Sequence, residues 1–223
     1  MTSVAEPDDT MGAMTDRDIP SGMSDDARES WPPPALIESF LGNFNFEFRP
    51  GEDADIADTA AAQAAARRFR DVLGRYASGV TVVTSMSDDE PVGMTCQSFS
   101  SVSLDPPLVT FIPAKTSRAW PLMQRAGHFC VNFLSDGQEA LSNTMASRGV
   151  DKFAGLEWSL SKTGAPMFDG IVGHVDCTIH AVHEAGDHYI VVGRVQDMDF
   201  RVDADGSSPD PLLYFQGAYR TLG

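Results

Sequence analysis

Two thirteen-residue runs, Ile171–His183 and His188–Phe200, flank the pair Gly186-Asp187, and this arrangement constrains the fold more than any other feature of the chain. Both runs mix β-branched and polar residues in the manner of strands. A Gly-Asp pair between them supplies the positive φ angles of a tight hairpin. A hairpin with arms of roughly 43 Å, at about 3.3 Å per residue, cannot stand alone in water and needs further strands on either side. The sequence offers them at Val80–Ser85, Pro91–Ser103, Leu108–Pro113, Phe129–Leu134 and Leu212–Phe215. Only two short helices interrupt these runs, near Ser117–Ala126 and Gln138–Arg148. Many strands with few helices point to a mainly β domain with flanking helices, a closed barrel or sandwich, and not to a repeating βαβ sheet.

Before the first strand comes an alanine-rich helix beginning at Thr59. Its Phe69, Val72 and Leu73, followed by Tyr76, recur at helical spacing and are expected to face a core. Residues 1–58 read differently, as an acidic and largely disordered extension. The whole chain carries 32 acidic and 16 basic residues, a net charge of −16, yet residues 1–60 hold fourteen Asp and Glu against three Arg. That segment therefore accounts for −11, and residues 61–223 for −5. A segment so polar cannot bury enough surface to offset its ordering entropy. An apolar island at 31–48, opening on Trp31 and three prolines and ending in Phe44, Phe46 and Phe48, interrupts it. The island suits packing on its own domain or docking on a partner. The chain thus divides into 1–58 and a folded domain of 59–223.

The acidity opposes a nucleic-acid binder, which needs a basic face to displace counterions. No apolar window is long enough for a membrane helix, and the N-terminus has no basic, apolar leader pattern. Cys96, Cys130 and Cys177 are widely spaced in apolar stretches and read as buried thiols of a cytoplasmic protein. GxGxxG, GxxxxGK[ST] and GxSxG are absent, which removes three common nucleotide and hydrolase signatures. His183 and His188 sit five apart across a glycine, so they do not align on a helix as a zinc pair, and no metal site is expected.

Two stretches carry chemical information. Residues 93–109, GMTCQSFSSVSLDPPLV, pack hydroxyls and a glutamine into what otherwise reads as strand and turn. Such small donors and acceptors suit a flat, hydrogen-bonding heterocycle lying against backbone, or a polar edge strand. Residues 113–120, PAKTSRAW, place Lys115 and Arg118 around Ser117, which can cap a helix. A phosphate site and an ordinary cap both fit that pattern.

Together these stretches resemble the flavin-reductase-like family. Further matches are GVTVVT at 79–84, FCVN at 129–132, DKFAG at 151–155, Gly186-Asp187-His188 and the ending PLLYFQGAY at 211–219. The likeness runs in the family's order from about Phe69 to Tyr219. It is strongest to the reductase components of two-component flavin-dependent monooxygenases. The resemblance implies an FMN-binding split β-barrel, usually a homodimer, that passes a hydride from NADH or NADPH to FMN or FAD. Reduced flavin would then go to a separate monooxygenase.

By the same resemblance, Thr95, Cys96, Gln97 and Ser98 would line the isoalloxazine. Ser101, Val102 and Ser103 would continue towards the ribityl chain and phosphate. Lys115, Ser117 and Trp120 match a phosphate-side loop, and Lys152 and Phe153 a segment closing over the flavin. His188 matches a histidine that positions the nicotinamide, with Tyr219 nearby. Hydride transfer needs stacking and orientation, not a nucleophile, which agrees with the missing hydrolase motifs. Two alternatives remain: a split barrel that holds flavin tightly and serves another acceptor, and a non-enzymatic flavin-binding or partner-recruiting module. The extension lies outside the likeness.

Overall fold

The computed structural model describes residues 60–148 and 151–222. The expectations for the acidic extension and its apolar island lie outside these residues. The chain opens with helix α1 (Ala60–Leu73), and then lays down β1 (Ser78–Gly79), β2 (Thr81–Ser87), β3 (Glu90–Cys96), β4 (Ser100–Leu104) and β5 (Pro107–Phe111). Helix α2 (Trp120–Ala126), β6 (His128–Phe133), a 3-10 turn (Asp136–Gln138) and α3 (Glu139–Ala146) follow. The remaining elements are β7 (Trp158–Leu160), β8 (Pro166–Phe168), β9 (Gly173–Ala185), β10 (His188–Phe200), β11 (Leu213–Phe215) and β12 (Ala218–Arg220).

Seven strands form one antiparallel sheet in the order β3-β2-β6-β9-β10-β5-β4. Its two edges, β3 and β4, stay apart, so the barrel is open, as a split barrel requires. The long hairpin is its spine: β9 and β10 pair from Gly173 opposite Phe200 to Ala185 opposite His188, with bulges at Val192/Gly193 and Val195/Asp197. Gly186 takes φ 59° at the turn while Asp187 keeps a negative φ, so the hairpin forms where expected with the glycine alone in the left-handed region. A second two-residue turn, Asp88-Asp89, joins β2 to β3 with both φ angles positive, a conformation aspartate tolerates better than most residues.

β2 shows why the sheet is stable. Val83 points into a cluster with Phe111, Trp120, Met123, Phe129 and Val191. Val80 and Val82 point the other way, towards Leu134, Met145, Phe153, Phe168 and Leu212. Both faces of β2 are covered: six of its seven residues are buried, the hydroxyl residues Thr81, Thr84, Ser85 and Ser87 along with Val82 and Val83. Most buried polar groups are satisfied, Trp120 Nε1 and His128 Nε2 being the buried side-chain atoms among the described residues without a partner. Asn132 donates to the Val82 and Pro166 carbonyls and accepts from the Phe168 amide, which fastens β8 across β2 and β6. Asp176 is fully buried and its carboxylate accepts from Ser161 Oγ, Thr163 Oγ1 and the Thr163 amide at 2.7–2.8 Å.

Some expectations fail. Phe69, Val72, Leu73 and Tyr76 do not face a core; they are 54–81% exposed, and α1 buries no residue. Helical spacing shows that a face is apolar but not which surface covers it. The run Pro91–Ser103 is two strands, because the chain leaves β3 after Cys96 and resumes as β4 at Ser100. Ser98 marks the break: its hydroxyl accepts from the Ile112 amide and donates to the Ile112 carbonyl, replacing a strand partner. The helix expected from Ser117 starts at Trp120 instead, with Ser117 Oγ accepting the Trp120 amide. β11 falls on the expected run Leu212–Phe215, whereas β7, β8 and β12 are three-residue strands too short to show in sequence periodicity. The three cysteines are buried free thiols.

Candidate functional site

β3 is an edge strand with only β2 beside it, so backbone donors and acceptors along its outer side face a cleft instead of another strand. That cleft has a volume of about 560 Å³. Thr95, Cys96, Gln97 and Ser98 form one wall, and His188, Tyr219, Tyr214 and Asn143 close around it. Residues from four separated parts of the chain therefore meet here.

Several hydrogen bonds fix the walls. Thr95 Oγ1 donates to the Ser142 carbonyl of α3 at 2.5 Å. The single Tyr219 phenol proton goes to Asn143 Oδ1 at 2.9 Å, so Ser142 Oγ donates to the phenol oxygen, also at 2.9 Å. β3, α3 and β12 are thus tied together at the cleft. Cys96 lies within 3.1 Å of Ser98 Oγ, and its carbonyl accepts from Thr81.

His188 stands at the first position of β10, held beside the cleft by a bridge to Ala114 and by the Tyr189 amide donating to the Pro113 carbonyl. Its Nδ1 is 2.6 Å from Asp187 Oδ1. An acceptor carboxylate requires the proton on Nδ1, which leaves Nε2 as the ring's other functional atom. That hydrogen bond to His188 also holds the Asp187 carboxyl below its ordinary range. Lys115 donates its amide to the Asp187 carbonyl, while its ammonium turns to Glu184 at 2.9 Å and lies over the Tyr189 ring.

A second cavity of about 310 Å³ adjoins the first, sharing Met94, Thr95, Ala114 and Ala146. Its polar lining is cationic and hydroxylic: Arg118, Arg148 and Lys152 with Thr116, Ser117 and Ser147. The Lys152 ammonium donates to the Met145 carbonyl at 2.6 Å and the Gly93 carbonyl at 3.2 Å. Burial lowers its pKa. Such a cavity suits an anionic group, and the larger cleft suits a planar one with donors and acceptors at its rim.

The remaining sequence candidates lie elsewhere. Trp120 is 2% exposed and packs edge-on against Phe111, so its indole belongs to the core beneath the loop. Phe153 is likewise buried, stacked on Phe168. Ser101, Val102 and Ser103 lie on β4, at the opposite edge of the sheet from β3, and line neither cavity. Asn143, Ile112 and Arg148 were missed by the sequence reading. Nothing local marks them, because they reach the site only through folding. Among the described residues, no group of three or more His, Cys, Asp or Glu side chains could hold a metal ion.

Comparison with known proteins identifies relatives across most of the described residues. Residues 73–223 match the family described as "Flavin reductase like domain". The "Flavin-dependent monooxygenase, reductase subunit HsaB" of Mycobacterium tuberculosis (strain ATCC 25618 / H37Rv) is 43% identical over 159 residues, 71% of this chain and 83% of that protein. The "FMN reductase (NADH) SmoA" of Agrobacterium fabrum (strain C58 / ATCC 33970) is 42% identical over 153 residues, 69% of this chain and 84% of that protein. Among solved structures, nitrilotriacetate monooxygenase component B from Mycobacterium thermoresistibile superposes with a TM-score of 0.69 at 43% identity, covering 72% of this chain and 88% of that one.

Proposed function

The chain belongs to the flavin reductase-like family and is an oxidoreductase, and on that premise we propose that it passes a hydride from NADH or NADPH to FMN or FAD. The reduced flavin then serves a partner monooxygenase. The observation that carries this reading is the meeting of Thr95–Ser98, His188 and Tyr219 around one cleft beside a cation-lined cavity. When bound there, flavin and nicotinamide supply the redox chemistry. The edge of β3 offers backbone hydrogen bonds to the rim of a flat ring system, and Thr95 and Ser98, themselves fixed, hold that edge in shape. Arg118 and Lys152 attract the phosphate-bearing part. His188, oriented through Nδ1 by Asp187, presents Nε2 at the nicotinamide side, and Tyr219 limits how far the ring can slide. None of these groups needs to act as a nucleophile. Their contribution is orientation, which brings donor and acceptor into stacking distance.

We also assign the protein a homodimeric state. Phe69, Val72 and Leu73 on α1 and Met198 and Phe200 at the end of β10 are 54–70% exposed, apolar groups that a second copy would bury. Ser101, Val102 and Ser103, exposed or half-buried on β4, would then meet flavin across the dimer. Thiols that stay reduced suit a cytoplasmic setting. Among the described residues no helix is long and apolar enough to cross a membrane.

The test is a matrix of NADH and NADPH against riboflavin, FMN and FAD, following nicotinamide oxidation at 340 nm. Rapid oxidation that depends on added flavin supports the proposal. Absence of flavin-dependent oxidation with every pair overturns it. A protein that purifies yellow and turns over without added flavin would point instead to a tightly held cofactor.

A further inference from the structure

Two residues of the cleft ride on the C-terminal hairpin, and that hairpin is fastened to a helix outside the cleft. Tyr214 on β11 and Tyr219 on β12 pair across it, their rings edge to face at 5.3 Å between centroids, and both line the cleft. β11 has a second neighbour in β1, where Ser78 pairs with Tyr214 and Gly79 with Leu213. β12 is a strand of three residues and, among the described residues, has only β11 beside it. So short an edge strand depends on its turn and its side chains to keep its place.

The turn is Gln216-Gly217, and both residues take positive φ, 53° and 77°. Glycine enters this region freely; glutamine does not, because its Cβ crowds the backbone and its amide is too far out to help. The turn therefore carries a residue that its own backbone disfavours. What Gln216 provides lies outside the turn. Its backbone N–H donates to the Gly74 carbonyl at 2.9 Å, just past the end of α1. Its side-chain oxygen, turned towards the Arg75 guanidinium, accepts from Nη1 at 2.5 Å and from Nε at 3.3 Å. The two segments abut, since a Cβ on Gly74 would lie 3.9 Å from the Gln216 Cα. Beyond the turn, Tyr219 is held by Ser142 and Asn143 of α3. The tyrosine pair is thus strung between α1 and α3. Tyr214 and Tyr219 stand two and three residues from Gln216, roughly 7–10 Å at about 3.3 Å per residue, so a shift of the turn is passed on to the rings.

We propose that Gln216 and Arg75 form a clamp that positions the Tyr214–Tyr219 wall and thereby the ring that this wall confines. Neither residue lines the cleft, so both are positioning residues that act through the tyrosines. The proposal rests on the flavin-reductase reading and adds a determinant that lies outside the site. It accounts for a glutamine where glycine would fit the backbone better: only a long side chain with an acceptor reaches the guanidinium. Loosening the clamp frees the wall and costs the alignment on which hydride transfer depends.

Full-length Gln216→Gly separates positioning from stability. Its Tm is expected to stay within about 2 °C of wild type, because relief of the left-handed backbone offsets the added freedom of the unfolded chain. Its kcat/KM for the preferred nicotinamide nucleotide is expected to fall about tenfold, while FMN affinity by fluorescence titration changes less than about twofold. Gln216→Glu keeps the length and the acceptor oxygen, and is expected to restore kcat/KM to within about threefold of wild type. Gln216→Asn is one methylene short of the guanidinium, and Arg75→Met keeps the stem without the donors; both are expected to reproduce the loss. Combining Arg75→Met with Gln216→Gly adds nothing further if the two act as one unit. Wild-type kcat/KM in Gln216→Gly, or a loss that Gln216→Glu does not restore, overturns the proposal and leaves the reductase reading intact. If Gln216→Gly does not fold, Gln216→Asn and Arg75→Met decide by the same criterion. Wild-type protein that reduces no flavin removes the premise, and the proposal falls with it.

Discussion

Gly193→Ala places a methyl group where the structure has no room for one. The new Cβ would lie 2.3 Å from Phe129 Cζ, 2.9 Å from its Cε1 and 3.1 Å from the Cys177 Cβ. Ordinary contact begins near 3.4 Å, so the ring must retreat by about 1.1 Å. Phe129 is fully buried and its ring meets Phe111 at a centroid distance of 4.9 Å, so it has nowhere to go without displacing that neighbour. Overpacking a native core costs about 1–3 kcal/mol. Contact this close falls at the upper end, about 2–3 kcal/mol. For a domain of this size that lowers Tm by roughly 5–10 °C. The assay is thermal and urea unfolding of wild type, Gly193→Ala, Phe129→Leu, and the double variant. Phe129→Leu alone should destabilise by about 1–2 kcal/mol through lost volume. The double variant should be more stable than the sum of the singles by more than about 1 kcal/mol, because the smaller side chain makes room for the methyl. A Gly193→Ala protein that melts within 1 °C of wild type, or additive energies in the cycle, would refute the reasoning. Gly193 lies five residues along β10 from His188. Its bulge therefore also influences how the strand delivers that histidine.

Other consequences are open to measurement. His188→Ala should lower NAD(P)H turnover more than flavin affinity; unchanged turnover would remove the histidine from nicotinamide positioning. Asp176→Asn should cost about 2–4 kcal/mol in urea denaturation, since three donors converge on a carboxylate and one would face an amide NH2. Burial pushes the Cys177 thiol up to about 12 and the Cys130 thiol up as well. The folded state keeps these protons above pH 9 while the unfolded state releases them, so stability should be full below about pH 9. It should then decline by about 1.4 kcal/mol per pH unit for each thiol until the folded thiols ionise. A flat stability profile from pH 8 to 10.5 would contradict this. Charging the α1 face with Phe69→Asp and Leu73→Asp should shift the sedimentation mass from dimer to monomer; a wild-type monomer would refute the assigned state.

Much of this architecture is legible in one dimension because local rules generate it. The β9–β10 hairpin follows from two β-prone runs and a Gly-Asp turn. The site residues of β3 stand together in sequence because they stand together on an edge strand. By contrast, the apolar spacing of α1 shows only that a face is apolar. It cannot show that the described residues leave Phe69 and Leu73 exposed.

Sequence by itself determined the main strands of the large sheet, the central hairpin, the family likeness and the hydroxyl-rich wall of the cleft. Tertiary structure alone decided that Trp120 and Phe153 are core groups, that Lys115 turns to Glu184, and that Asn143 and Arg148 reach the site. The physical reason is that turn chemistry and periodicity act over a few residues, whereas a cavity is made of surfaces from distant segments. Which segments meet depends on the packing of the whole sheet.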